Sequence, residues 1–363
     1  MRILTLLLCL ALTAGLLAGL LTQGPGIRAS GDTYAMMDRF DRDVGNSISG
    51  AMEGILSLDK VYWLSDQDQT APVPDPGAYG RADTAEERQA LLDRARELLE
   101  GQETLFTPET PVMPGSNVQY YLDETLFAVT WKEIRDGCIY TCSEVKIAHP
   151  SQLRRFLAGG EYGCDRQFTT TEMARSVHAV VASSGDFYRF RQLGAIIYEG
   201  TVRRVDSALV DTCHIDREGN LRITRAGELP DAEAAQKYAD DYGIRFSLNF
   251  GPVLVEAGQR CEPDHYLLGE ISDHYARAAI GQLGPLHYLL TAANGEHGWQ
   301  TVPDIHSFAA NLEQMGCETA YALDGGQTAA IAMDGQLVNR VVYGQQRKIS
   351  DIVYFATALP EGG

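Results

Sequence analysis

The segment Ala320-Tyr321-Ala322-Leu323-Asp324-Gly325-Gly326-Gln327-Thr328-Ala329-Ala330 holds the residue types in this chain best suited to chemistry. An apolar run leads into a carboxylate, two glycines and a polar pair, then resumes through Ile331 and Met333. Glycines at the mouth of a strand let the backbone turn tightly and bring N–H groups close to an anion, with the carboxylate beside them. A plain Asp-Gly hairpin turn uses the same residues, and the spacing leaves both readings open. Other chemistries lack their signatures. The histidines show no His-x-x-x-His or His-Glu-x-x-His spacing, and no Gly-x-Ser-x-Gly elbow, phosphate-binding P-loop or dinucleotide fingerprint is present. No cofactor is required by the sequence; a calcium or magnesium ion at Asp324 is compatible with it, but no ligand-loop spacing demands one.

Around Asp324 lies a set of elements that resembles the phosphodiester glycosidase family. Leu323-Asp324-Gly325-Gly326-Gln327-Thr328 is followed by the turn Asp334-Gly335, by Val338-Asn339, and by Arg347-Lys348-Ile349-Ser350-Asp351-Ile352-Val353. Upstream, Ala182-Ser183-Ser184-Gly185-Asp186-Phe187-Tyr188, Phe250-Gly251-Pro252-Val253-Leu254 and Ala276-Arg277-Ala278-Ala279-Ile280-Gly281 are similar to family elements in the same order. The resemblance covers roughly residues 120–358. It implies a glycosidase acting on a sugar-1-phosphodiester, with a glycan or sugar-phosphate as substrate. Asp324 and Asp186 are then the carboxylate pair, Arg277 and Arg347 the phosphate binders, and Gly325, Gly326, Gln327, Thr328, Ser184 and Asn294 further contacts. Ordinary structural readings stand beside these: Asp186 as a turn cap, and the two arginines as ion-pair or surface residues. The sequence also departs from the family. Ser184 stands where Asn is usual, and Asn294-Gly295-Glu296 stands where the family has Asp-Gly-Arg, so an amide and a carboxylate replace a carboxylate and a guanidinium. A non-catalytic glycan-binding or scaffold protein on the same fold is therefore the alternative.

These residues must be carried outside the cytoplasm if the first residues are read at face value. Ile3–Leu21 is an uncharged apolar run just long enough to cross a bilayer, with no small-x-small cleavage site at its end. It reads as a signal anchor, with a cleaved signal peptide as competitor; either exports the rest as a single-pass membrane or secreted protein. The formal net charge of −19 argues against nucleic acid as a partner. Beyond Cys9, the cysteines Cys138, Cys142, Cys164, Cys213, Cys261 and Cys317 permit bridges in an exported chain, and the plainer expectation is some buried free thiols with one or two bridges.

The expected organisation is an anchor or signal at 1–22, a juxtamembrane stalk at 23–117, a catalytic-type domain at 118–358 and a short tail at 359–363. Within the stalk, Thr84 and Glu87 form a capping box for a helix over 85–100, with Leu91, Leu92, Ala95, Leu98 and Leu99 on its apolar face. Downstream the spacing predicts strands over 126–134, 139–146, 178–182, 195–198, 209–215, 252–256, 278–281, 287–292, 318–323 and 328–333. It predicts helices over 150–158, 171–177, 232–242 and 305–315. Strands and helices mix without strict alternation, so the fold class is α+β, a mixed β-sheet core with flanking helices behind an N-terminal membrane anchor and helical stalk.

Overall fold

The structure is a computed structural model that describes residues 70–99, 103–263, 266, 274–294 and 302–358. The apolar run Ile3–Leu21, the pattern before residue 70, Gly295, Glu296 and the 359–363 tail lie outside the described residues. Among those described, no helix is long and apolar enough to cross a membrane.

Three sheets and a few helices make an α+β fold, and every strand pairing between described residues is antiparallel. The largest sheet has nine strands, with Cys138–Ile147, His287–Asn294, Arg277–Gly284 and Thr319–Leu323 adjacent at its centre. Alternation along these strands feeds two cores. Ala278, Ile280, Leu290 and Tyr321 face one cluster shared with the two five-stranded sheets. Ala279, Leu289, Ala320 and Ala322 face the other, shared with the helices Ala85–Leu98 and Ile305–Gln314. One five-stranded sheet runs Leu221–Thr224, Thr212–Asp216, Ile244–Leu248, Gly194–Tyr198, Thr201–Asp206. The other runs Gln336–Leu337, Ile331–Met333, Val181–Ser184, Asp351–Phe355, Leu153–Leu157. The short helix Thr170–Ser176 covers the outer side of this last sheet through Met173 and Ala174.

Two expectations are corrected. The segment 150–158 is a 3-10 turn, Pro150–Gln152, followed by the edge strand Leu153–Leu157. Its Leu-Arg-Arg-Phe-Leu sequence carries no apolar/polar alternation, and it pairs residue for residue with Asp351–Phe355, a partner about two hundred residues away that local spacing cannot reveal. The expected stalk also belongs in part to the domain. Tyr79–Arg81 pairs with Gln119–Leu122 in the nine-stranded sheet, and Leu91, Leu92 and Ala95 pack with Phe106, Phe127 and Trp131. The capping box of that helix forms as expected, Thr84 accepting from Glu87 N–H and Glu87 accepting from Thr84 N–H. The six cysteines are free, four of them buried.

Candidate functional site

Thr319–Leu323 belongs to the nine-stranded sheet and Ile331–Met333 to the small sheet, so the segment between them crosses from one sheet to the other. That removes the hairpin reading of Asp324-Gly325. The chain's Asp-Gly hairpin turns are elsewhere, at Asp136-Gly137 and Asp334-Gly335, where both residues have positive φ as a two-residue type I′ turn requires. At the crossing, a Cβ on Gly325 would come within 2.5 Å of the Ala276 carbonyl oxygen. Gly326, at φ +64°, donates its N–H to that same carbonyl at 2.7 Å. A 3-10 turn Gly326–Thr328 follows, with the Thr328 hydroxyl donating to Gly325 O at 2.6 Å. On the other side, Asp324 N–H donates to Gly185 O at 3.0 Å and the Ser184 hydroxyl to Asp324 O at 3.4 Å. The Asp-Gly-Gly segment and Ser184-Gly185-Asp186 are thus pinned together across the two sheets.

Asp324 is half-buried, as are Gly325, Gly326 and Gln327 after it. Loss of hydration pushes the Asp324 carboxyl up, to about 7, against the lowering effects of a Thr328 hydrogen bond and of the Arg347 and Arg191 guanidinium charges; the nearby Asp186 charge adds to the rise. Arg347 stands over the Phe187 ring at 5.8 Å, and Phe187 stacks with Phe190 at 4.8 Å. Arg191 stands over the Phe250 ring at 4.5 Å and donates to Phe250 O at 3.2 Å. Sequence reading missed Arg191: in Tyr188-Arg189-Phe190-Arg191 nothing marks which arginine turns inward, and Arg189 instead pairs with Asp165.

Asp186 is the centre of a buried ion cluster. One carboxylate oxygen accepts from Tyr188 N–H at 2.7 Å and pairs with Arg155 at 2.9 Å; the other accepts from Asn249 N–H at 2.8 Å. Arg155 also pairs with Asp351 at 2.9 Å and donates to Ser247 O. Both ion pairs have fully buried side chains. Two carboxylates thus share one guanidinium, and burial with the neighbouring Asp186 charge pushes the Asp351 carboxyl up despite Arg155. Asp186 does cap a turn through Tyr188 N–H, and it also holds the cluster that Gly185 approaches so closely that a Cβ there would collide with Asp351. Arg155 and Asn249 were missed, the first because its strand reads locally as helix.

The remaining expected residues divide. Strand register continues Ala278↔Leu323 to Arg277 opposite Asp324, yet the buried Arg277 stacks on Tyr275 at 4.1 Å and donates to Pro303 O at 3.4 Å. Its charge is not among those that act most strongly on Asp324. Asn294 is buried, with its Oδ1 accepting from Asn339 Nδ2 at 2.9 Å; Asn339 also donates to Ala329 O and accepts from Ile331 N–H. Its Nδ2 has no hydrogen-bond partner among the described residues. Asn339 therefore stitches the Asn294 strand end to the segment after Thr328. Gln327 donates to Gln345 O at 3.1 Å, tying the glycine turn to the loop that carries Arg347. Among the described residues no group of three His, Cys, Asp or Glu side chains is placed to hold a metal ion.

Residues 177–356 match the family model described as phosphodiester glycosidase. This span contains Asp186, Arg191, Arg277, Asp324, Arg347 and Asp351 and leaves out Arg155. Among solved structures, a Synechocystis protein is similar at 15% identity and TM-score 0.46, over 68% of this chain and 64% of its own length. The catalytic domain of zebrafish N-acetylglucosamine-1-phosphodiester α-N-acetylglucosaminidase, auto-inhibited by its pro-peptide, is similar at 16% identity and TM-score 0.49, over 72% of this chain and 93% of its own. No curated protein matches the chain.

Proposed function

We propose, from the match of residues 177–356 to the phosphodiester glycosidase family model, a hydrolase that cleaves the sugar–oxygen bond of a sugar-1-phosphodiester in an extracytoplasmic glycan. The observation that carries this reading is the Asp324 carboxyl, raised to about 7 and faced by the Arg347 and Arg191 charges within the family segment. Arg347 and Arg191 would bind the diester phosphate and stabilise the charge it gains on leaving. A phosphate held in this way needs little protonation to depart, so the demanding proton transfer is from water. Asp324, more basic than an ordinary carboxylate, would take that proton as water attacks the anomeric carbon. The carbon–oxygen bond then breaks with its electron pair going to the phosphate, giving free sugar and a phosphate monoester. Asp186, with its oxygens already engaged, would hold the cluster behind Asp324. The extracytoplasmic site, as an anchored or secreted protein, rests on the Ile3–Leu21 run.

The test is release of free sugar from a synthetic sugar-1-phosphate diester by the purified protein. Turnover by the wild type and its loss in Asp324→Ala is the expected result; a wild type no faster than blank overturns the reading. A second reading, glycan binding without turnover, is favoured by Asn294, whose amide stands where the family has a carboxylate and is tied to Asn339. Glycan binding that survives Asp324→Asn, with no sugar released by either protein, would select it.

A further inference from the structure

A cavity of about 600 Å³ opens between the edge strand Leu153–Leu157 and the strand Ile244–Leu248, away from Asp324. Arg154 and Arg245 line it, with Tyr198, Phe246 and Tyr354 as aromatic wall and Glu199 and Asp240 at its exposed rim. Both arginines are anchored on one turn: Arg154 Nε donates to Ser151 O at 2.8 Å, and Arg245 Nη1 to Pro150 O at 2.7 Å. Each anchor is a neutral carbonyl. Among the described residues neither guanidinium forms an ion pair with a carboxylate, in a chain whose acidic residues outnumber its basic ones, 49 to 30. Two like charges held side by side in a partly buried cavity repel, and burial and Arg154 together lower the Arg245 pKa. An anion placed between them would offset both the repulsion and the loss of hydration.

We propose that this cavity is a second binding site, for a saccharide bearing a phosphate group. The phosphate would lie across the Arg154 and Arg245 guanidinium groups, where planar N–H donors match phosphate oxygens. Tyr198, Phe246 and Tyr354 are nearly fully buried and form the packed wall behind the arginines, and the Tyr354 hydroxyl, already bonded to Arg154, borders the phosphate. Glu199 and Asp240 at the mouth suit hydroxyl donors and disfavour a second anion, which selects a singly phosphorylated sugar over a polyanion. Arg155 lines the same cavity but turns its guanidinium to Asp186 and Asp351, so the two sites stand back to back through one strand.

Isothermal titration of the full chain with a hexose phosphate, inorganic phosphate and the unphosphorylated hexose tests this. The hexose phosphate should bind more tightly than either of the others. Arg154→Gln and Arg245→Gln should each weaken it about tenfold, as loss of a charge-assisted contact does. Asp324→Asn should leave this binding unchanged, which separates the cavity from the fate of the catalytic reading. Because both arginines are half-buried, the melting temperature of each variant is recorded alongside, and Arg154→Gln, on the edge strand, is the decisive variant. No binding of the hexose phosphate, affinity equal to that of inorganic phosphate, or affinity indifferent to Arg154→Gln would each overturn the proposal.

Discussion

The Asp324 carboxyl, pushed up to about 7, should mark stability and, under the proposed mechanism, rate as well. Its folded pKa lies above its unfolded value, so the stability it contributes is present below about pH 4 and is lost as pH rises through about 7. Asp324→Asn removes a charge that is unfavourable above that range. At pH 8 the variant should therefore melt higher than the wild type, by about 1–2 kcal/mol once the accessible edge of the carboxyl is allowed for. Thermal melts of both proteins at pH 5 and pH 8 check this; a gap that does not widen with pH would contradict it. Acting as a base, Asp324 should give kcat/KM that rises with pH and levels off above about 7. A profile that falls through that range would assign it the acid's part instead. Arg155 is the opposite case. Arg155→Met leaves Asp186 and Asp351 buried without their shared guanidinium and should cost about 3–5 kcal/mol in urea unfolding. Asp351→Asn added to it should recover part of that loss. At this scale the Asp324-Gly325-Gly326 turn was legible as a pattern of neighbours, which by itself also fitted a hairpin. Arg191, Arg155 and Asn249 were not, because their meaning lies in partners distant in sequence, as Asn249 with Asp186, 63 residues away, and Arg155 with Asp351, 196 residues away, show.

At the scale of elements, the site depends on a crossing between two sheets at Gly325. The extended glycine passes the Ala276 carbonyl with no room for a methyl group. Gly325→Ala should force the backbone away, costing about 1–3 kcal/mol of stability and lowering kcat more than KM. Urea titration with steady-state kinetics reads both; an alanine variant with wild-type kcat would show that the crossing does not position Asp324. Which elements were legible follows from the same physics. Helices with local signals, such as the Thr84 capping box and the stretch 232–242 closed by Gly243, were readable from their own residues. The strand Leu153–Leu157 was not, since its identity comes from pairing with Asp351–Phe355. The strands Thr201–Asp206, Leu221–Thr224 and Ile244–Leu248 went unread for a similar reason: each mixes charged residues into a short run whose partner strands alone define it.

At the scale of the whole molecule, the net charge of −19 would oppose the anionic substrate proposed for the local arginines. Salt screens the long-range repulsion more than the enclosed contacts, so raising ionic strength from about 0.01 M to 0.15 M should lower KM for the diester and leave kcat nearly unchanged. A KM that rises with salt would mean that exposed cations, and not an enclosed pair, hold the phosphate. The α+β class was legible from the mixture of periodicities; the boundary at residue 118 was not, because Tyr79–Arg81 and the helix Ala85–Leu98 join the core through contacts that no composition shift announces. All of this turns on one chemical statement, that water attacks the sugar carbon with Asp324 as base. Hydrolysis of a synthetic sugar-1-phosphodiester in ¹⁸O-labelled water tests it most directly, by mass spectrometry of both products. The label should appear in the released sugar, with no release by Asp324→Asn; label in the phosphate monoester, or equal turnover by the variant, would contradict it.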